Sequence, residues 1–353
     1  MSIVSVKKRG VSFIKEIKFS VGLPVVEKEG FTDKIIEYKD RISEVYFSFG
    51  DFPNGRSAHG AATPFDSLTR QTESIRTLAS EGLSFNLLFN ANCYGEESLS
   101  RAFFCKIGDT VDYIGSICSL TSVTTTSPII AKFIKSNFEG LETRASVNME
   151  IGSPEGFDYL GEYFDGYYMK REHNRSLGKI KELRRHLDAA GKKMYLLANS
   201  GCLNNCSAHI YHDNLVAHEA QMAKYDNAYD FFGICHDYLK RDGAIEDYLR
   251  LTNFIRPEDI RTVAEYFDGI KLATRVNPYP VRVLEAYMSA RFHGAVTSLL
   301  EPDHSSVFYP KFIANDKIPE DYLNRVLECN KSCRDCGYCK KICVNATVNT
   351  EEL

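Results

Sequence analysis

Gly166-Tyr-Tyr-Met-Lys170, the run Ser176 to Ala190 (SLGKIKELRRHLDAA) and Met194-Tyr-Leu-Leu-Ala198 spell a strand, a helix and a second strand in immediate succession. The outer runs are short and rich in aromatic and aliphatic residues, which suits a pleated, buried strand. Between them Leu177, Ile180, Leu183 and Leu187 recur every three or four positions, which makes one helix face apolar. Outward from this unit the same alternation repeats. Candidate strands are Ile17 to Leu23, Val45 to Phe49, Phe85 to Phe89, Tyr113 to Ile117, Arg144 to Met149 and Gly269 to Ala273, with amphipathic stretches at Pro64 to Ser80, Ser127 to Ser136, Glu155 to Phe164 and Pro257 to Phe267. With the two strands already quoted the count is eight. Eight strand-helix units predict a (β/α)8 TIM-like barrel, a fold of about 250 residues before insertions. An open doubly wound sheet is the competing architecture, but no Gly-x-Gly-x-x-Gly turn follows the first strands and no phosphate loop is present.

Residues 199–256, after the seventh strand, are too many for an ordinary βα loop and read as a functional insertion. The expected organisation is a barrel over residues 1–318 and a small cysteine-rich subdomain over 319–353. That tail is too short to bury a core alone, and so depends on a metal or on docking to the barrel.

Composition narrows the class. A chain of 353 residues with 44 % hydrophobic content can bury a full core. The opening Met-Ser-Ile-Val-Ser-Val-Lys-Lys-Arg-Gly has no apolar run after its charges, and no stretch approaches the roughly 18 apolar residues of a membrane span. A cytoplasmic protein with no membrane partner is expected, in which the 11 cysteines stay reduced. A formal charge of −4 gives no basic footprint, so nucleic acid is not an expected partner. Lys179, Lys181, Arg184 and Arg185 read as a solvated helix face.

The tail holds the strongest chemical signal: Cys329-Asn-Lys-Ser-Cys333-Arg-Asp-Cys336-Gly-Tyr-Cys339-Lys-Lys-Ile-Cys343. From Cys333 onward the gaps of two, two and three residues are those of bacterial ferredoxins, with Val344 in place of the usual proline. Soft thiolates so repeated suit an iron-sulfur centre. Structural zinc is the alternative, since Cys-x-x-Cys pairs also close a tetrahedral site; a disulfide scaffold belongs to smaller, secreted chains. In the insertion, Cys202, Cys206 and Cys235 form a second group. Eight thiols match two 4Fe-4S clusters. The working allocation places Cys333, Cys336 and Cys339 on one and Cys202, Cys206 and Cys235 on the other, with Cys329 and Cys343 completing them in either order. Cys93, Cys105 and Cys118 share no spacing and read as buried small hydrophobes. His209 and His212 flank the second group, while His59 and His173 follow strands; each is a candidate proton carrier or a structural histidine. The Cys-x-x-x-Cys-x-x-Cys signature of radical S-adenosylmethionine enzymes is not met, because His209 stands where its third cysteine belongs.

Gly55-Arg56, Leu87-Leu-Phe-Asn90-Ala-Asn92-Cys93, Lys170-Arg171-Glu172-x-Asn174-Arg175-Ser-Leu, Asn199-Ser-Gly-Cys202-x-x-x-Cys206 and Ile255-Arg256-Pro257-Glu258-Asp259-Ile260 together resemble the collagenase-like peptidase family (letter U, number thirty-two). The resemblance spans roughly residues 40 to 300. It implies a barrel, with Cys202 and Cys206 matching the family's cluster cysteines and Arg171, Glu172 and Asn174 its strand-end polar motif. Relatives of known activity are implied to be iron-sulfur proteins that hydroxylate ubiquinone precursors or RNA bases without dioxygen, with prephenate as the oxygen donor. Two departures stand out: the peptidase signature is missing, and the C-terminal thiol run is an addition.

An added cluster is what electron delivery requires, so the expected function is an oxygen-independent iron-sulfur redox enzyme hydroxylating a small molecule or a peptide side chain. One or two 4Fe-4S clusters, a prephenate-like oxygen donor and an electron-donor protein are the expected cofactors and partners. A peptidase and an RNA-base hydroxylase are the alternatives. Strand ends supply the site: Arg56, Arg171, Glu172, His173 and Asn174 as catalytic candidates, and Asp51, Asn54, Asn90, Asn92, Glu150, Arg275 and Asn277 as substrate contacts. Paired arginines suit a dicarboxylate through forked hydrogen bonds. A hydrolase would draw on Glu150 and Glu172.

Overall fold

The computed structural model describes residues 17–55, 65–333 and 335–350. Eight parallel strands close on themselves: β1 (Phe19–Gly22), β2 (Ile42–Phe47), β3 (Ser84–Phe89), β4 (Ser119–Thr125), β5 (Glu142–Ala145), β6 (Gly166–Tyr168), β7 (Lys193–Leu197) and β8 (Gly269–Leu272), with β8 pairing back to β1. Helices between successive strands make the outer ring of a (β/α)8 barrel. Their starts are written locally. Ser100, Ser127 and Ser153 each accept a hydrogen bond from an orphan backbone N–H of the first turn, the last two with proline following.

One expected strand is corrected. Tyr113 to Ile117 is the end of the helix Arg101–Ile117, and the fourth strand begins two residues later, at Ser119. Phe103, Ile107, Val111 and Ile114 are the buried residues of that helix, a spacing of four, four and three that carries its apolar face to Ile114 and leaves Tyr113 exposed. The run Thr121 to Thr125, β-branched at every position but Ser122, then supplies the strand.

The core has two parts. Outward-facing strand residues such as Val21, Val45, Phe47, Phe85, Leu87 and Val123 pack under the helices in one large cluster, while Val147, Tyr168, Tyr195, Leu197 and Ala273 form a small one of their own. Low in the barrel the strands turn polar side chains inward. Arg144 Nη1 lies 2.7 Å from both carboxylate oxygens of Glu44, which also accepts from Ser20 and Asn86. A buried ion pair persists only when its remaining donors and acceptors are so occupied. Glycines make room for the large residues of this interior: a Cβ on Gly22 would fall 2.5 Å from the Tyr46 ring, and one on Gly166 2.6 Å from that of Tyr195.

Between β7 and β8 the chain forms the helices His209–Ala217, Glu219–Met222, Ile234–Leu239 and Tyr248–Leu251. The described tail docks on this insertion and on the barrel. Tyr322, Leu323, Val326, Leu327, Ile342, Cys343 and Ala346 are buried in the same large cluster as the barrel. A two-stranded antiparallel ribbon of β9 (Lys311–Ile313) and β10 (Thr347–Asn349) fastens its end. Among the described residues no helix is long and apolar enough to cross a membrane.

Candidate functional site

Parallel strands deliver their C-terminal ends to one face, and there Gly55, Asn90, Ser146, Asn148, Arg171, Ser200, Arg275 and Glu301 ring a cavity of about 50 Å3. Only glycine fits at position 55, where a Cβ would lie 2.5 Å from the Asn90 carbonyl oxygen. The Gly55 N–H donates to Asn90 Oδ1. Arg275 Nη2 donates to Asn54 Oδ1 at 3.3 Å.

Arg171 anchors the opposite wall. Its Nη2 donates to Asn148 Oδ1 at 2.5 Å, and Nη1 lies 3.3 Å from His209 Nε2 and 3.7 Å from Glu150 Oε1. His209 Nδ1 is 2.6 Å from the same carboxylate oxygen, and its Nε2 is 3.4 Å from Asp213. Glu150 sits at φ 52, a left-handed conformation that side chains adopt sparingly and that concentrates at functional sites. Burial pushes its carboxyl up, but His209, Lys170 and Arg171 outweigh that and hold it below the ordinary range. Arg171 Nε and Asn92 Oδ1 are buried without a hydrogen-bond partner among the described residues, as polar atoms are when their partner is a ligand or water.

On the floor, Lys271 Nζ stands 3.7 Å from the centre of the Tyr46 ring and 5.3 Å from that of Tyr168. Burial, aided by neighbouring Arg275 and opposed by Glu44 and Glu301, brings its ammonium down to about 7. Arg171, Lys271 and Arg275 bring three basic side chains to the cavity lining, with the Glu301 carboxylate among them.

The expected site residues divide. Asn90, Arg171 and Arg275 line the cavity, with Asn54, Asn92 and Glu150 directly behind it. Four others face elsewhere. Glu172 accepts from the Asn205 backbone N–H and pairs with Lys170; His173 Nε2 is 3.0 Å from the Gly152 carbonyl oxygen, with burial lowering its pKa. Asn174 donates to the Leu197 carbonyl, and Asn277 Oδ1 accepts from the Tyr279 backbone N–H. Asp51 is exposed on the surface, paired with Lys106. Arg56 and His59 lie outside the described residues. Lys271 and Asn148 also line the cavity, and Asp213 stands beside Asn92 and His209, three positions that no sequence motif singled out. Lys271 carried a usable signal, a lysine inside an otherwise apolar strand run.

The thiols gather on the insertion side. Cys329, Cys333 and Cys339 share the lining of a cavity of about 390 Å3 with Arg175, Lys331 and Tyr322. Cys202, Cys235 and Cys343 all lie within electrostatic reach of the buried Tyr248 hydroxyl. Two cations face the first group. Arg175 donates to the carbonyls of Phe254, Leu249 and Thr252 and to the Tyr322 hydroxyl, and Lys331 to the carbonyls of Arg175 and Val326. Neither has a carboxylate partner among the described residues. Side chains as placed bring no three metal-binding groups among the described residues onto a common point, and all 11 cysteines are free thiols. Cys105 is exposed rather than buried, while Cys93 and Cys118 are partly buried.

No protein-family model matches the chain, and no curated protein matches it. Among solved structures, the U32 peptidase Mk0906 superposes with a TM-score of 0.52 at 15 % identity, over 76 % of this chain and 97 % of that one. A glycoside hydrolase catalytic domain (GH53) from Ignisphaera aggregans matches with a TM-score of 0.36 at 9 % identity over 73 % of this chain and 79 % of that one. A putative galactarate dehydratase of the enolase type from Agrobacterium radiobacter gives 0.33 at 7 %, over 59 % and 50 %. The first likeness is one of fold: this chain has a barrel similar to that of a U32 peptidase.

Proposed function

We propose that this chain is an oxygen-independent iron-sulfur redox enzyme that hydroxylates a small molecule or peptide side chain bearing a carboxylate. The observation that carries this reading is the cavity where Cys329, Cys333 and Cys339 face Arg175 and Lys331. Arg175 is buried and Lys331 stands beside it, neither with a carboxylate partner among the described residues; a buried cation is costly unless an anion offsets it, and a thiolate-bound cluster is such an anion. Cys336 belongs to the same turn and would complete that set. Cys202, Cys206, Cys235 and Cys343 would hold the second cluster beside Tyr248. When bound, such clusters supply one-electron transfer.

The chain's own residues do the rest. Arg171 and Arg275 hold carboxylates of the substrate, or of a dicarboxylic oxygen donor such as prephenate, at the barrel mouth. His209, oriented through Nδ1 by Glu150, holds or moves a proton at Nε2. A second reading, peptide hydrolysis, draws on that His209–Glu150 contact and on the fold shared with a U32 peptidase.

Anaerobic purification with iron, sulfide and zinc analysis separates the two. About eight irons are expected, falling to about four in either Cys329→Ala/Cys333→Ala or Cys202→Ala/Cys235→Ala. Stoichiometric zinc without sulfide overturns the redox reading and leaves hydrolysis.

A further inference from the structure

Lysines inside proteins are almost always paired with a carboxylate. Lys271 is not: its ammonium has no hydrogen-bond or ion-pair partner among the described residues and rests on the faces of Tyr46 and Tyr168. The charged groups that reach it from the surrounding elements are Glu44 on β2, Arg144 on β5, Arg275 beyond β8 and Glu301. Burial is the largest cause that disfavours its positive charge, and the two arginines add to it against the opposing pull of Glu44 and Glu301. Access is through the mouth cavity, whose lining includes Lys271. Its volume of about 50 Å3, against roughly 10–15 Å3 for one water, admits a molecule of only a few non-hydrogen atoms or the reacting end of a larger one.

We infer that Lys271 is a nucleophilic amine that forms an imine with a small 2-oxo acid, or the 2-oxo acid end of a longer one, whose carboxylate is held by Arg171 and Arg275. Desolvation and a neighbouring cation are the two devices that make a lysine nucleophilic at neutral pH. Having lost its proton to solvent in the mouth, the amine adds to the carbonyl carbon. The carbonyl oxygen then leaves as water, taking one proton from the amine and one from solvent in the mouth, and the C=N bond forms with the amine's other proton on nitrogen. No electrons change hands in this step and none of the thiols takes part, so the inference stands or falls apart from the iron-sulfur reading.

The test is reductive trapping on the full-length purified protein. Pyruvate and 2-oxoglutarate are added separately near pH 7.5 with sodium borohydride, followed by intact mass measurement and peptide mapping. One reduced oxo-acid adduct per chain, mapped to Lys271, is expected. It should be lost in Lys271→Met and strongly reduced in Arg275→Met, with circular dichroism confirming that both fold. Mapping on the wild type decides the matter even if a variant fails to fold. Absence of an adduct with both acids, or adducts spread over surface lysines, overturns the assignment.

Discussion

At the scale of single residues, side chains that meet at the mouth do so through distances no sequence pattern displays. Arg171 was legible because it ends a strand within a polar run, but so do Glu172, His173 and Asn174, and only Arg171 turns inward. The 3-10 turn Arg171–His173 rotates each successive side chain by about a third of a circle, which sends Glu172 and His173 away, while Asn174, past the turn, is held by the Leu197 carbonyl. If Arg171 clamps a carboxylate with its fork, Arg171→Lys keeps the charge and loses the geometry. Prephenate binding, read by calorimetry, should weaken by about 1.5–3 kcal/mol, the range for hydrogen bonds to charged groups; unchanged affinity sinks this role. Acid stability is a separate prediction. Burial pushes the Glu142 carboxyl up, but Arg144, Lys193 and Tyr195 override it and hold it down, and Glu150 and Asp165 are lowered as well. Groups depressed on folding contribute stability that is complete above their unfolded values near 4 and fades as pH falls through the folded ones. Urea midpoints should therefore hold from pH 7 to about 5 and fall steeply below about 4. Glu142→Gln should start lower at pH 7 and show a shallower fall; parallel curves would remove Glu142 from the account.

Elements show where pattern reading succeeds and where it stops. Seven of the eight expected strands overlap observed ones, because buried parallel strands are short apolar runs with helices between. The fourth slipped, since Tyr113-Ile-Gly-Ser-Ile117 is as β-like in composition as it is helical in period. Polar residues facing the barrel interior, Glu44, Asn86 and Arg144 among them, follow from strand alternation only once the barrel is known to be closed. Arg175 ties three parts of the chain together. It bridges the turn after β6, the insertion and the tail helix Tyr322–Leu327 by hydrogen bonds of 2.8–3.2 Å, stacked 4.5 Å from the centre of the Phe254 ring. Lysine cannot reproduce that fork, so Arg175→Lys should cost about 2–4 kcal/mol by chemical denaturation, from several lost charge-assisted bonds. A change below about 0.5 kcal/mol, the usual span of surface substitutions, would show the bridge to be ornamental.

For the whole molecule, the tail decides whether the chain is a barrel with an attachment or one cooperative body. Its buried residues join the barrel's own cluster, Arg256 donates to the carbonyls of Ile318 and Pro319, and Cys343 Sγ lies 3.2 Å from the Ile245 carbonyl oxygen in the insertion. Such contacts were invisible in the sequence, where residues 199–256 and 319–353 are separated by a strand and its helix and share only their cysteines. Removing the tail would expose the underside of the insertion, including Tyr248 and Leu249, which are buried now. Exposed apolar surface of that kind favours local unfolding and aggregation. A chain ended at residue 318 should therefore lose protection in residues 199–256 by hydrogen exchange and become proteolytically labile there, while β1 to β6 stay protected. Adding iron and sulfide under anaerobic conditions should raise the full chain's melting temperature and leave that of the truncated chain unmoved, since binding to the native state alone stabilises by mass action. A truncated chain that melts and exchanges like the full one would show that the tail is carried by the barrel rather than holding the insertion in place.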